Sequence, residues 1–314
     1  MISERGLGVD TYVGKVKLDE THYPGEDYYS DGAIEDRLLE IVTNYPEEKY
    51  NEVIAESKDW AILYHLSHLR TNIIEWLPIE KTESVLEIGA GCGAITGILS
   101  EKAKKVDCID LSKKRSLINA TRNKDKENIE IKLGNFQDVE ESLSEKYDWI
   151  TLIGVFEYGK GYIDSEDPYV DFLKIIKKHL KPNGKIVIAI ENRLGLKYFA
   201  GCAEDHSGIL YDGIEGYHHD GIAATFSKPE LQTIFNKSGF SQVDFYYPYP
   251  DYKLPLYIYS DDYLPQLGDL HINQNYDRLR VNVFDETKTY DSLVKSGLFP
   301  LFSNSFLTVL KGDQ

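Results

Sequence analysis

Basic residues are scarce in this chain. Its 314 residues include 35 Lys plus Arg against 52 Asp plus Glu, a net charge of −17 at pH 7. A protein that grips a phosphate backbone needs a basic face, so nucleic acid and anionic membrane surfaces are poor bulk partners unless a basic patch is strongly segregated. Long apolar runs are missing too. The longest, such as Ile186 to Ile190, hold about five residues, whereas about 20 are needed to span a bilayer. The opening MISERGLGVDTYVG carries no apolar signal core. Only three cysteines occur, Cys92, Cys108 and Cys202, without metal or disulfide spacing, which fits a reducing compartment. No repeat at a solenoid period and no low-complexity tract is present. The expectation is a cytoplasmic protein without membrane insertion.

What is present suffices for a packed core, with 42% hydrophobic and 28% charged residues. The length predicts two domains or one elaborated core. A single Met contrasts with 23 Tyr, seven of them between Tyr246 and Tyr263. Tyrosine has a flat apolar face and a polar tip, so this density can line a site for polar rings, or simply pack a strand and loop.

Apolar spacing after Asp31, a candidate N-cap, predicts a first helix through Ile34, Leu38, Leu39, Ile41 and Val42. A longer helix follows Ser57 and ends at Pro78. Residues 1–80 thus read as a helical lid, after an irregular or short-stranded start to about residue 30. From there strands alternate with helices. Strands are expected at Ser84 to Ile88, Val106 to Asp110, Ile129 to Leu133, Tyr147 to Ile153 and Lys185 to Ile190. Helices are expected at Ala94 to Ala103, near Lys113 to Asn123, and at Tyr169 to Leu180, with a turn over 181–184. This alternation predicts an α/β, Rossmann-like, doubly wound and mostly parallel sheet. A helix over Ser227 to Ser238 and strands at Gln242 to Tyr247 and Phe306 to Leu310 bring the strands to seven. Residues 81–314 form the core, with insertions at about 193–225 and 248–303.

The chemistry starts at VLEIGAGCGAI, Val85 to Ile95, at the carboxyl end of the first core strand, where open parallel sheets bind ligands. Gly89, Gly91 and Ala94 also satisfy the dinucleotide pattern, and Asp110 lies about 20 residues on, so the glycines alone do not choose between cofactors. Two features do. The third glycine is Gly93, giving E-x-G-x-G-x-G, and Glu87 stands at the strand end. A carboxylate there would repel a pyrophosphate but could take an ammonium, directly or through water, while Asp110 can accept from two ribose hydroxyls.

On these residues the chain resembles class I S-adenosylmethionine (SAM) methyltransferases over roughly residues 60 to 314. The resemblance implies SAM as cofactor and S-adenosylhomocysteine as product, bound by Glu87, Gly89, Gly91, Gly93, Asp110 and Leu111. It places the adenine at Asn135 and Phe136 of GNFQD, and the methionine part at Gly154 and Val155. YHLSHLR, Tyr64 to Arg70, resembles a segment of ubiquinone-type O-methyltransferases whose arginine reaches the SAM carboxylate. That puts Arg70 forward, beside the plainer reading of a solvated helix charge. His68 replaces the proline usual there. More narrowly, ENRLGLKYFAGCAEDHSG, GIEGY, TFSKPEL and YPYPDYKLP look like methyltransferase domains associated with glycosyltransferases of bacterial surface polysaccharides. This implies a glycan or small-molecule acceptor and a glycosyltransferase as partner, while the acidic charge balance argues against nucleic acid.

Methyl transfer to a hydroxyl needs alignment and a base. His206 is the first candidate, on a Gly-rich loop where Glu204 and Asp205 could orient the imidazole. Glu157 and Asp205 are the other catalytic candidates. Tyr158, Glu191, Asn192, Glu215 and the His218–His219 pair lie in the same region of the chain. Asp205, His206 and Glu215 could be drafted as metal ligands, but no fixed ligand spacing supports them and no metal is expected. The alternatives are a small-molecule O-methyltransferase with a non-sugar acceptor, and a silent SAM-fold docking module. A nicotinamide-dependent oxidoreductase survives only through the Gly-x-Gly-x-x-Ala overlap.

Overall fold

In a computed structural model, residues 11–27, 32–218, 221, 223–272 and 280–312 are described. Asp31 and His219 lie outside them. Among the described residues ten strands form: β1 (Thr11–Val13), β2 (Val16–Asp19), β3 (Ser84–Ile88), β4 (Lys105–Asp110), β5 (Ile129–Leu133), β6 (Tyr147–Ile153), β7 (Leu180–Glu191), β8 (Val243–Tyr249), β9 (Tyr257–Ser260) and β10 (Ser305–Lys311). The alternation predicts seven. The other three, β1, β2 and β9, have only three or four residues each, too few to show a period. The chain divides into two compact units, Met1–Thr151 and Leu152–Gln314.

The first unit carries the parallel pairing, in the order β1-β2-β5-β4-β3. β2 pairs parallel with β5, β5 with β4 and β4 with β3, while β1 and β2 form an antiparallel hairpin. Parallel neighbours need crossovers, supplied by the helices Thr96–Lys102 and Lys113–Arg122. The second of these is capped by Ser112, whose hydroxyl accepts from the Arg115 amide. Asp27 also serves this end, its carboxylate accepting from the amides of Lys113 (2.7 Å) and Lys114 (3.1 Å).

Ahead of β3, the helices Ala33–Asn44, Tyr50–Ser57 and Trp60–Leu66 bury Leu38, Ile41, Val42, Tyr50, Ile62 and Leu66 in one cluster with Cys92 and Ile118. Cys92 belongs to the glycine loop, so this cluster holds the loop from outside. The long helix expected after Ser57 is broken. Asp59 caps Trp60–Leu66 through the amides of Ala61 and Ile62. Ser67 then leaves helical geometry at ψ 131° and caps the next turn, His68–Thr71, by accepting from Leu69 N. A serine that bonds local backbone competes with helix continuation.

In the second unit the strands run β7-β10-β8-β9, all antiparallel. β10 lies along β7 from Ser305 opposite Glu191 to Lys311 opposite Lys185. The turn expected at 181–184 falls inside β7, where Asn183 takes a left-handed φ of 62°. The helix Lys228–Lys237 starts as its sequence asks, with a capping box between Ser227 and Glu230.

The stretch over 248–303 does hold structure of its own, namely β9 and the helices Glu286–Lys295 and Phe299–Phe302. The tyrosines clustered from Tyr246 to Tyr263 mostly pack. Tyr247, Tyr249, Tyr252 and Tyr259 are buried. The Tyr247 and Tyr249 rings meet Phe299 and Tyr290 edge-on at 5.6 and 5.9 Å, a favourable aromatic geometry. Among the described tyrosines from Tyr246 to Tyr263 only Tyr257 and Tyr263 are well exposed. Among the described residues no helix is long and apolar enough to cross a membrane.

Candidate active site

In the first unit the glycine loop is tied to the end of β4. Gly89 N donates to Ile109 O (2.8 Å), and Gly91 N donates to Asp110 Oδ2 (2.7 Å). Asp110 Oδ1 accepts from Ser112 N (2.9 Å). The acidic side chain is thereby fixed by two backbone amides, with lone pairs left on both oxygens for hydroxyl donors. Burial raises its pKa, although these amides work the other way. Gly93 has φ 76°, and a Cβ there would lie 2.4 Å from Asn119 Oδ1, so this position requires glycine on both counts. Leu111 is half-buried beside Asp110.

Glu87, at the end of β3, is 5% exposed. Its Oε2 accepts from the Thr96 hydroxyl (2.7 Å) and lies 3.5 Å from Cys108 Sγ. Burial drives its pKa up to about 7, helped by the negative charge of Asp110. Arg70 is not a solvated charge. It is 3% exposed, and its guanidinium carbon sits 4.2 Å from the centre of the Tyr64 ring. Asn135 caps the helix Phe136–Glu140, and Phe136 is buried as the first residue of that helix.

In the second unit Gly154 follows β6 with φ 70°, donating to Ala189 O at 2.9 Å. A Cβ on it would lie 2.8 Å from the Tyr252 hydroxyl. Val155 is buried next to it. The following turn, Phe156–Tyr158, carries Glu157, and Glu191 ends β7. Glu157, Glu191 and His206 each bring one candidate ligand atom within 4.8 Å of the others. Both glutamates are fully buried, at 1% and 0% exposure.

The carboxylate facing His206 is Glu191, whose Oε2 lies 3.6 Å from Nε2. The loop carboxylates expected to orient the imidazole do other work. Glu204 Oε2 accepts from the backbone amides of His206 (2.7 Å) and Ser207 (2.6 Å), which shapes the loop. Asp205 is held by the Tyr198 hydroxyl, Lys197 Nζ (2.8 Å) and Lys253 Nζ (2.6 Å). Nδ1 of His206 lies 3.3 Å from the Tyr158 hydroxyl.

Lys253 completes the group. It reaches Glu191 Oε1 at 3.1 Å, and sequence reasoning misses it, because a lone lysine in a Tyr-rich stretch gives no pattern. The charges distribute accordingly. Burial opposes ionisation of Glu191, but Lys253 and His206 outweigh it and hold its pKa down at about 2. Burial and the Glu191 charge push Glu157 up to about 8. Burial disfavours the imidazolium, yet Glu191, with Glu157 and Glu204, raises His206 to about 9. Glu215 is exposed and His218 likewise, and neither joins the group.

Comparison with known proteins places these features in context. A family model described as a methyltransferase domain matches residues 62–244, more than half of the chain. The ribosomal RNA small subunit methyltransferase A of Fusobacterium nucleatum subsp. nucleatum is 27% identical over 205 residues, covering 63% of this chain and 69% of that protein. Among solved structures, a SAM-dependent methyltransferase of Thermotoga maritima aligns at 15% identity and a TM-score of 0.44, over 85% of this chain and 99% of that one. A phosphoethanolamine N-methyltransferase of Haemonchus contortus aligns at 14% identity and a TM-score of 0.48, over 91% of this chain and 51% of that one.

Proposed function

We propose, on the premise that the chain belongs to the methyltransferase domain family and is a SAM-dependent methyltransferase, that it methylates a hydroxyl group of a sugar, glycan chain end or glycan precursor. The cofactor is assigned to the glycine loop: Glu87 toward the ammonium, Asp110 toward the ribose hydroxyls, Arg70 toward the carboxylate. Gly89, Gly91, Gly93 and Leu111 form the walls. Asn135 and Phe136 are assigned to the adenine, Gly154 and Val155 to the methionine part. In the reaction the acceptor oxygen attacks the sulfonium methyl. The O–C bond forms as the C–S bond breaks, the electron pair stays on sulfur, and the hydroxyl proton must leave.

The observation that carries a hydroxyl acceptor is the group at Glu157. Its buried Oε2 has no hydrogen-bond partner, beside the Glu191–His206 ion pair. Such a carboxyl oxygen suits an O–H donor. The proton leaves as the bond forms, and Asp205 keeps the cluster in shape through Lys253. The relative that methylates ribosomal RNA brings RNA forward as a second acceptor, and the net charge of −17 weighs against it. A glycosyltransferase partner rests on the resemblance of the 191–255 segment alone.

The direct test supplies methyl-labelled SAM with free sugars, nucleotide sugars and oligosaccharides, each beside its amino analogue. Label is expected as a methyl ether. Transfer only to the amines, or only to an RNA substrate, would overturn the hydroxyl assignment. For the cofactor half, Asp110→Ala is expected to weaken S-adenosylhomocysteine by roughly 100-fold or more in calorimetry, since hydrogen bonds to a charged group contribute about 1.5–3 kcal/mol each. Equal affinity would remove Asp110 from the site, and tight binding of NAD instead would replace the cofactor.

A further inference from the structure

We propose that Glu157, Glu191 and His206 form a divalent-cation site, of the Mn²⁺ or Zn²⁺ kind, whose open positions take the acceptor hydroxyl. The inference rests on the hydroxyl-acceptor reading and specifies how the hydroxyl is made acidic. Three elements of the second unit deliver the ligands: the turn after β6, the end of β7 and the loop that follows it.

Two carboxylates and one imidazole make a mixed O/N donor set, which suits Mn²⁺ and Zn²⁺. At metal–ligand distances of about 2.0–2.2 Å, two atoms on one ion lie roughly 3.0–3.6 Å apart. His206 Nε2 and Glu191 Oε2 already stand at 3.6 Å. The remaining separations, within 4.8 Å, close with a side-chain shift on the order of 1 Å.

A second observation is independent of that proximity. Glu157 Oε2 and His206 Nε2 are buried and make no hydrogen bond, with Glu157 1% exposed. Leaving buried polar atoms unbonded is costly, and an ion at this point would satisfy both. The surroundings are arranged for it. Lys253 occupies Glu191 Oε1 at 3.1 Å, which leaves Oε2 to the ion. Tyr158 lies against Nδ1 at 3.3 Å, the outer-shell contact that aims the opposite ring nitrogen.

Three protein ligands leave room for one or more acceptor oxygens. A hydroxyl on a divalent ion loses its proton far more readily than a free one. That proton passes to water, the bound alkoxide attacks the sulfonium methyl, and the sulfur leaves with its electron pair. His206 then serves as a neutral ligand of the ion.

The experiment titrates the full chain, stripped with EDTA, with Mn²⁺ followed by electron paramagnetic resonance and with Zn²⁺ followed by calorimetry. One ion per chain is expected. Glu157→Gln and His206→Asn, each checked for native circular dichroism, should weaken it at least 10-fold. Absence of binding, or equal binding by the wild type and both variants, overturns the site. Methylation of a hydroxyl at full rate in EDTA also overturns it, while leaving the hydroxyl reading intact. Transfer to nitrogen in a chain that does bind the ion overturns that reading instead, and with it the ion's role toward the hydroxyl.

Discussion

Replacing His206 by alanine is expected to lower kcat for methyl transfer by roughly 10²- to 10⁴-fold, the range for losing a group that assists deprotonation of the acceptor hydroxyl. The affinity for S-adenosylhomocysteine should not change, because the acidic residues assigned to the cofactor, Glu87 and Asp110, take their hydrogen bonds from Thr96, Gly91 and Ser112. The variant also strands charge. Glu157 and Glu191 are both fully buried, and without the imidazole Glu191 keeps Lys253 alone as a cationic partner among the described residues. Breaking a buried ionic contact on one side typically costs about 3–5 kcal/mol. The melting temperature should therefore fall as well, and His206→Asn, which keeps a polar side chain, should fall less. Single-turnover transfer from labelled SAM, run beside calorimetry and a thermal melt, separates the effects. A normal rate in a cofactor-competent His206→Ala would remove the cluster from the chemistry.

Glu87→Gln is expected to move stability and cofactor binding in opposite directions. In the folded protein the Glu87 pKa is raised from its ordinary 4.5 to about 7, first by burial and then by Asp110. A raised carboxyl pKa means the folded state holds its proton longer than the unfolded chain does. Its favourable contribution is therefore whole below pH 4.5 and is lost as pH rises through about 7. At pH 8 the buried carboxylate then costs about 3 kcal/mol, from a shift of about 2.5 units at 1.36 kcal/mol each. Glutamine keeps the partner for Thr96 and carries no charge, so Glu87→Gln should be the more stable protein at pH 8 and nearly equal to wild type near pH 4.5. SAM affinity should drop, because an amide cannot neutralise an ammonium. Urea unfolding at the two pH values reads the first effect, and calorimetry with SAM reads the second. A stability difference that is flat with pH would show that Glu87 titrates as an exposed carboxyl does.

The glycine loop of the first unit and the acidic cluster of the second differ in how far local sequence reveals them. The glycine loop is legible because its constraints are local. β3 is an apolar strand, the glycines follow directly, and Gly93 must tolerate both a positive φ and the side chain of Asn119. Asp110 ends the next strand, where its amide partners Gly91 and Ser112 are set by the same turn. Arg70 is different. Its segment leaves a cofactor-carboxylate contact and a solvated helix charge both open, and only packing puts it against Tyr64. The break at Ser67 is likewise invisible to apolar spacing, because Leu66 and Ile73 keep the helical period on either side of it.

By itself the sequence determined the alternation of strands and helices and the place of the glycine loop after the first core strand. Each of these follows from backbone preference and burial within a few neighbouring residues. Only the tertiary structure decided which carboxylate faces His206, that Asp205 turns to two lysines, and that Lys253 reaches Glu191 from 62 residues along the chain. It also decided that β1 and β2 extend the parallel sheet beside β5. Such contacts join residues with no local relation, and their free energy comes from burying and neutralising charge in a shared interior, which no period or spacing encodes.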